Sequence, residues 1–293
     1  MALIQKKLWF EAATRASGSA KKVALKASVS AVCRFFSRSR QSFYKQQHSE
    51  YKALTEESFV LREVRLIRKG QPKVGVRKLL KDIQEKGFKI GRDRLFNMLR
   101  ENKMLVMKKK RGPNTTYSNH WFRKYSNLIK GVVLTGPNQV FVSDITYLRV
   151  VGSFVYLSLV TDAWSRKIVG WDVSSSLCVK GALRALKMAL RDAQHPEGLI
   201  HHSDRGIQYC CNDYVKLLND NNILISMTEE NHCYENAIAE RVNGILKDEF
   251  LLNEILPSLK VAKELVRESV YTYNYKRRHM SLDYKIPAEV HNV

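Results

Sequence analysis

A chain of 293 residues is long enough for about two domains and for a core that needs neither disulfides nor a structural metal. No apolar run approaches about 18 residues, so no membrane span is expected. The five cysteines, two of them adjacent at Cys210 and Cys211, form neither a CxxC pair nor a zinc-finger spacing, and reduced thiols in a cytosol are the expectation.

The net charge of +22 is unevenly spread: residues 1–136 hold 32 Lys and Arg against 9 Asp and Glu, residues 137–293 hold 18 against 19. A basic first part joined to a near-neutral second suggests that the first binds a polyanion and the second does something else. A membrane-lying helix would carry Leu and aromatic residues along one face, and that signature is weak here. Residues 1–50 are basic and Ser-rich, as an organellar transit peptide would be, but they also carry helical pattern.

In chain order, Val23 to Gln46 reads as two short helices around the Ser37-Arg-Ser turn, with Val32, Phe35 and Phe36 packing inward. This makes residues 1–50 a basic helical segment, either a helix-turn-helix or another basic hairpin. Residues 51–107 give a better helix-turn-helix pattern, with runs near Glu56–Arg68, Val76–Glu85 and Arg92–Glu101 broken at Gly70-Gln-Pro72 and Gly87 to Gly91. Leu79, Leu80, Ile83, Leu95, Met98 and Leu99 recur at helical spacing and are expected as core. Arg92 and Arg94 open the third run, where a recognition helix would face DNA. The run Lys108, Lys109, Lys110, Arg111 begins a basic linker over 108–136 whose charge could track a phosphate backbone. It ends at Thr135-Gly-Pro-Asn138.

From residue 137 to 293 the pattern becomes α/β. Three strands near Gln139–Val150, Phe154–Thr161 and Lys167–Val173 read as an antiparallel meander turned at Gly152-Ser and Trp164-Ser-Arg. A helix Val179–Ala193, a strand Leu199–Ser203, a helix near Tyr214–Leu218 and a strand Ile223–Ser226 follow. Asp144 lies in mid-strand within an apolar run, where an anion is costly to bury unless a cation neutralises it. Asp204 stands at a strand's carboxyl end, and thirty-five residues then intervene before Glu240, inside a helical pattern. These three form an oxygen-only set suited to Mg2+ or Mn2+, and two such ions would serve phosphodiester chemistry. Asp162 and Asp172 are rivals to Asp144, and His201 and His202 are expected as strand-end residues. At 100° per residue, Asn236, Glu240, Asn243 and Lys247 share one stripe of a helix, with Ile238, Val242, Ile245 and Leu246 opposite and Ala237 and Gly244 beside it. Tyr271, Tyr273 and Tyr275 interleave with the basic run Lys276 to His279, which suits core packing or DNA contact.

The segments SDITYL, HHSDRGIQY, CYENAIAERVNGILKDE and YNYKRRHMSLDYKIPAE resemble the integrase-core transposases of insertion sequences of the IS-three type, encoded by the second reading frame. The resemblance covers about residues 25 to 290. It implies a ribonuclease H-like catalytic core preceded by an all-α basic helix-turn-helix region, and an Asp-Asp-Glu triad at Asp144, Asp204 and Glu240. The family's Lys or Arg seven residues past the Glu falls on Lys247, as a contact to DNA. The usual Gly-Asn-Cys-Tyr-Asp-Asn-Ala is here Asn231-His-Cys-Tyr-Glu-Asn-Ala237, which touches no expected ligand.

The implied activity is metal-dependent cleavage at the ends of a mobile element and strand transfer into target DNA, without a covalent protein–DNA intermediate. The implied partners are double-stranded DNA, further copies of the chain on paired ends, and a protein from the upstream frame. The setting would be the bacterial cytoplasm, at the nucleoid. The alternatives are a metal-dependent nuclease without joining activity and a non-catalytic DNA-binding regulator, against which the intact triad counts.

Overall fold

A computed structural model describes residues 9–11, 28–107, 121–193, 198–229 and 236–292. The chain divides into two compact units, Met1–Glu63 and Val64–Val293. In the first, Ser28 caps helix α1 (Val29–Phe35) by accepting from the Ala31 amide at 3.2 Å. Val29, Val32, Cys33 and Phe36 follow the i, i+3, i+4, i+7 rule and meet Trp9 and Phe43 in a small core. Phe35, expected inside, is 83 % exposed because it falls about 100° off that stripe. Ser37, at φ 52°, makes the turn. Helix α2 (Arg40–Gly70) is then continuous for 31 residues, so that the 50/51 boundary read from sequence lies within one helix.

The second unit begins within the last turns of α2 and continues with helices α3 (Val76–Glu85) and α4 (Arg92–Glu101). Leu79, Ile83, Leu95, Met98 and Leu99 are buried as their spacing requires. The strands are β1 (Val140–Val150), β2 (Ser153–Asp162), β3 (Ile168–Ser174), β4 (Ile200–Ser203) and β5 (Leu224–Met227), in the sheet order β3-β2-β1-β4-β5. The first three are antiparallel, and β4 and β5 add parallel to β1. Helices α5 (Val179–Ala193), α6 (Ile207–Cys210) and α7 (Asn212–Asp220) supply the core on one face. Gly170 on β3 permits the close seating of α5, since a Cβ there would stand 2.0 Å from the Ala185 carbonyl oxygen. Helices α8 (Ala237–Glu249) and α9 (Leu259–Tyr275) form the core of the other face with Leu148, Leu157 and Val173. A short helix α10 (Pro287–His291) follows. This strand order, with antiparallel and parallel halves meeting at β1, is the ribonuclease H-like sheet.

The last turn of α8 is fixed by a buried ionic lock. Glu249 accepts from Lys78 Nζ at 2.8 and 2.9 Å and from Arg277 Nε and a terminal guanidinium nitrogen, each at 2.8 Å. Against its burial, hydrogen bonds and charge from Arg277 and then Lys78 hold Glu249 down to about 2. Burial, followed by the charge of Arg277, pulls Lys78 down to about 8 despite its carboxylate partner. Next to it Arg278 binds Asp82 at 2.7 Å and also Glu85, so residues 277–278 tie α3 to the sheet-bearing core.

Candidate active site

Parallel pairing sets two carboxylates side by side. Ser143 on β1 is the register partner of Ser203, the last residue of β4, so Asp144 and Asp204 come next on adjacent strands, which lie about 4.8 Å apart. Beyond Ser203 the chain turns, and the Gly206 amide donates to Asp204 Oδ1 at 3.0 Å. A Cβ at Gly206 would stand 2.9 Å from that same oxygen, which accounts for the glycine.

Helix α8 crosses above this pair, held by two buried asparagines. Asn236 donates from Nδ2 to the Ser143 carbonyl at 3.0 Å, and Asn243 donates to Asp144 Oδ2 at 2.8 Å. Sequence reasoning set Asn236 and Asn243 on the stripe of Glu240 without giving either a task. They are 2 % and 5 % exposed, and the Oδ1 atoms of both are buried with no hydrogen-bond partner. Glu240 is exposed one turn into α8, while Ala239 and Val242 face the core; Ile238, expected there, is only partly buried.

The three carboxylates feel one another. Burial, then the charge of Asp204, outweigh the Asn243 hydrogen bond and, with Glu240, push partly buried Asp144 up to about 7. Glu240 is likewise raised, by burial and then by Asp204. Among the described residues no three Asp, Glu, His or Cys side chains close on a single point as around one ion. The carboxylates are gathered at one end of the sheet without converging. Their chemistry nevertheless fits a hard divalent cation: all-oxygen donors, an anion destabilised by two like charges, and an unpartnered amide oxygen on Asn243, whose nitrogen bonds that anion.

Lys247, two turns past Glu240, sets its ammonium 4.6 Å from the centre of the Tyr147 ring. Burial pulls its pKa down, and the charge of Asp144 acts the other way.

The two histidines are structural. His201 Nε2 meets Ser143 Oγ at 2.8 Å and Tyr214 Oη at 3.0 Å, and burial followed by His202 drives it to about 3, so the ring is neutral. His202 Nδ1 pairs with Ser226 Oγ at 2.8 Å. Both rival aspartates are occupied elsewhere: Asp162 accepts from Ser165 N and Oγ and from the Asn138 amide, and Asp172 takes both arms of Arg184. Arg92 and Arg94 are exposed at the start of α4, with Arg92 bonded to Asp93 at 2.8 Å. Lys108, Lys109, Lys110 and Arg111 lie outside the described residues. Tyr273 is buried and donates to the Arg166 carbonyl, whereas Tyr271 and Tyr275 are half exposed against each other.

The sheet order is that of the ribonuclease H-like fold, and the chain is of the integrase-core class. Residues 135–233 and 221–287 match two families described as "Integrase core domain". The chain is 34 % identical over 262 residues to the "Insertion element IS600 uncharacterized 31 kDa protein" of Shigella sonnei, covering 88 % of this chain and 96 % of that one. It is 31 % identical over 217 residues to "Transposase InsF for insertion sequence IS3A" of Escherichia coli K12, covering 72 % and 74 %. Among solved structures, the HTLV-2 integrase catalytic core domain in complex with magnesium is similar over 53 % of this chain and 97 % of that one, at 17 % identity and a TM-score of 0.41. The chain belongs to the IS3-type insertion-sequence transposases. No helix among the described residues is long and apolar enough to cross a membrane.

Proposed function

We propose that this transposase binds the ends of a mobile DNA element in the bacterial cytoplasm and there carries out divalent-metal-dependent strand cleavage and strand transfer. The observation that carries this reading is the gathering of Asp144, Asp204 and Glu240 where β4 ends beside β1, with the charge of Asp204 acting, after burial, to raise both Asp144 and Glu240. These three residues would hold Mg2+ or Mn2+, as two ions. When bound, such ions activate a nucleophilic oxygen and stabilise the leaving one in phosphodiester displacement.

The chain's own groups do the positioning. Asn243 fixes the rotamer of Asp144, Asn236 pins the start of α8 to β1, and Gly206 fixes the Asp204 carboxylate. Lys247 supplies a cation beside the carboxylates for a phosphate or base at the element's end, and Arg92 and Arg94, with Lys108 to Arg111, would hold DNA further along. Cleavage and joining are successive attacks at one site, first by water and then by the freed 3′ hydroxyl. Work on paired ends implies more than one copy of the chain, and an upstream-frame protein would be a further partner. The regions 1–50, 51–107, 108–136 and 137–293 are proposed as basic segment, helix-turn-helix, linker and catalytic core.

A metal ligand and a DNA anchor fail differently. Glu240→Gln is expected to keep binding to the element end, measured by gel shift, and to lose cleavage and joining. Lys247→Ala is expected to weaken end binding about tenfold, the effect of roughly 1.4 kcal/mol, while leaving the Mn2+ affinity seen by calorimetry intact. A Lys247→Ala protein identical to wild type in end binding and strand transfer would remove that lysine from the site. A nuclease that never joins would yield cut ends and no branched product in the same assay.

The raised pKa of Asp144 makes a second prediction. Its folded value, about 7, lies above the unfolded 3.8, so the stability it contributes is present below about pH 4 and is lost as pH rises through 7. Metal-free protein should therefore melt at a lower temperature at pH 8 than at pH 6, and Mn2+ should raise the midpoint more at pH 8. In Asp144→Asn both trends should flatten. An Mn2+ shift that is unchanged in Asp144→Asn would place the ion elsewhere.

A further inference from the structure

The YNYKRRHMSLDYKIPAE motif is left without a chemical role by the carboxylate site, yet part of it lines a groove of about 930 Å³ on the flank of α8. Its lining includes five cationic side chains, Lys73, Lys78, Arg166, Arg241 and Arg277, against two carboxylates, Asp248 and Glu249. Lys78 and Arg277 are 7 % and 3 % exposed and are fixed by their shared bond to Glu249, so part of the positive charge is immobile. His279, also in the lining, is 7 % exposed, and its Nε2 is buried with no hydrogen-bond partner. That unpartnered nitrogen is a hydrogen-bonding group for an anionic oxygen in the groove.

The α8 wall is built to let a large ligand approach. Ala237 is small and exposed, and at Gly244 a Cβ would meet nothing within 4 Å, so the helix backbone there is open to solvent. Ala237, Arg241, Gly244 and Asp248 form a stripe about 100° round the helix from Asn243 and Lys247, with Glu240 at the border between the two. A polyanion lying in the groove is therefore led past Glu240 toward the Lys247 side.

Building on the transposase reading above, we propose that this groove binds the phosphodiester backbone of duplex DNA on the side of the reacting phosphate opposite to Lys247. Before cleavage that DNA is the flank of the element, and during joining it is the target. Backbone contacts made by Lys, Arg and an imidazole read no sequence, as is required of a surface that must accept both. The C-terminal motif then does two things at once: Arg277 and Arg278 lock α3 to the core, and Arg277 and His279 furnish the bed of the groove.

The test uses the full-length protein, without divalent ion, and a 40-base-pair duplex of arbitrary sequence, with affinity measured against salt concentration. The double variant Lys73→Glu, Arg241→Glu should lower the magnitude of the log–log slope by about 2, at roughly 0.9 per phosphate contact. The control Lys187→Glu, Arg191→Glu, of equal charge change on the exposed side of α5, should lower it by less than about 0.5. A second readout places a thiol in the groove: Gly244→Cys should form a disulfide with thiol-tethered duplex at least fivefold more efficiently than Asn219→Cys on α7. Equal slopes for the groove and control pairs, or equal cross-linking at 244 and 219, would overturn the proposal. So would loss of poly-glutamate binding in the groove variant with duplex binding unchanged, which would assign the groove to an acidic polypeptide. Strand transfer by the wild-type preparation reads the carboxylate site independently, so failure of either idea leaves the other standing.

Discussion

Asp204→Asn is expected to bind element ends as wild type does and to lose cleavage and joining together, by a factor of about 1,000 or more. The size follows from what a ligand to a catalytic ion supplies: several kcal/mol of transition-state stabilisation, at 1.36 kcal/mol per factor of ten. Structural collateral should be small. The amide oxygen of Asn can still accept from the Gly206 amide, so the turn after β4 keeps its bond. Removal of one negative charge should also relieve Asp144, whose carboxyl is pushed up by Asp204 after burial itself. The variant is therefore expected to be at least as stable as wild type without metal and to show a smaller stabilisation by Mn2+. The measurement is strand transfer on a pre-cleaved end, which isolates the joining step from hydrolysis. Joining at near wild-type rate would remove Asp204 from the chemistry, whatever happened to cleavage.

Much of the fold that carries these residues was legible because the physics that builds its elements is local. Alternation and turn residues mark β1 to β3, and helical spacing marks α3, α4 and α5 with ends that agree with the structure. The placing of Asp144 beside Asp204 needs one further fact, the Ser143–Ser203 register, which periodicity alone does not contain. That fact came within reach through the family resemblance. The helix stripe holding Asn243 was visible from 100° steps, but its bond to Asp144 joins residues 99 apart in sequence. Phe35 was misplaced for the opposite reason: several rotations of a short amphipathic helix are compatible with its sequence, and here Cys33 takes the inner place. The continuity of α2 through residue 50 was hidden because Arg40–Gly70 is polar over much of its length and lacks the apolar stripe that signals one long helix.

The ionic lock was the least legible part of the fold. Lys78 and Glu249 are 171 positions apart, and each alone reads as a solvated helix residue. Its removal is expected to have the largest effect on stability of any single substitution outside the hydrophobic core. Glu249→Gln deletes the carboxylate that, among the described residues, pairs with both Lys78 and Arg277, whose side chains are 9 % and 4 % exposed. Breaking a buried pair by removing one partner costs about 3–5 kcal/mol, because the remaining charge stays buried without compensation. For a chain of this size that is a fall of roughly 10 °C in the melting midpoint.

The pH dependence separates a charge effect from lost packing. Glu249 is held at about 2, below its ordinary 4.5, so in wild type its contribution is present above about pH 4.5 and is lost as pH falls toward 2. Lys78 is pulled down to about 8 from 10.5, so the folded state releases its proton first and stability from this group rises with pH between 8 and 10.5. In Glu249→Gln nothing opposes that release, and the relief should begin nearer neutrality. The deficit of the variant should thus be greatest near pH 6 and smaller at pH 9, whereas a packing defect would be independent of pH. Replacing all three members, Lys78→Met, Glu249→Met and Arg277→Met, should restore much of the lost stability, since apolar side chains of similar volume can substitute for a buried ion cluster. A deficit below about 1 kcal/mol, the same at pH 6 and pH 9, would show that these groups are solvated and that α3 is held to the core by its other contacts.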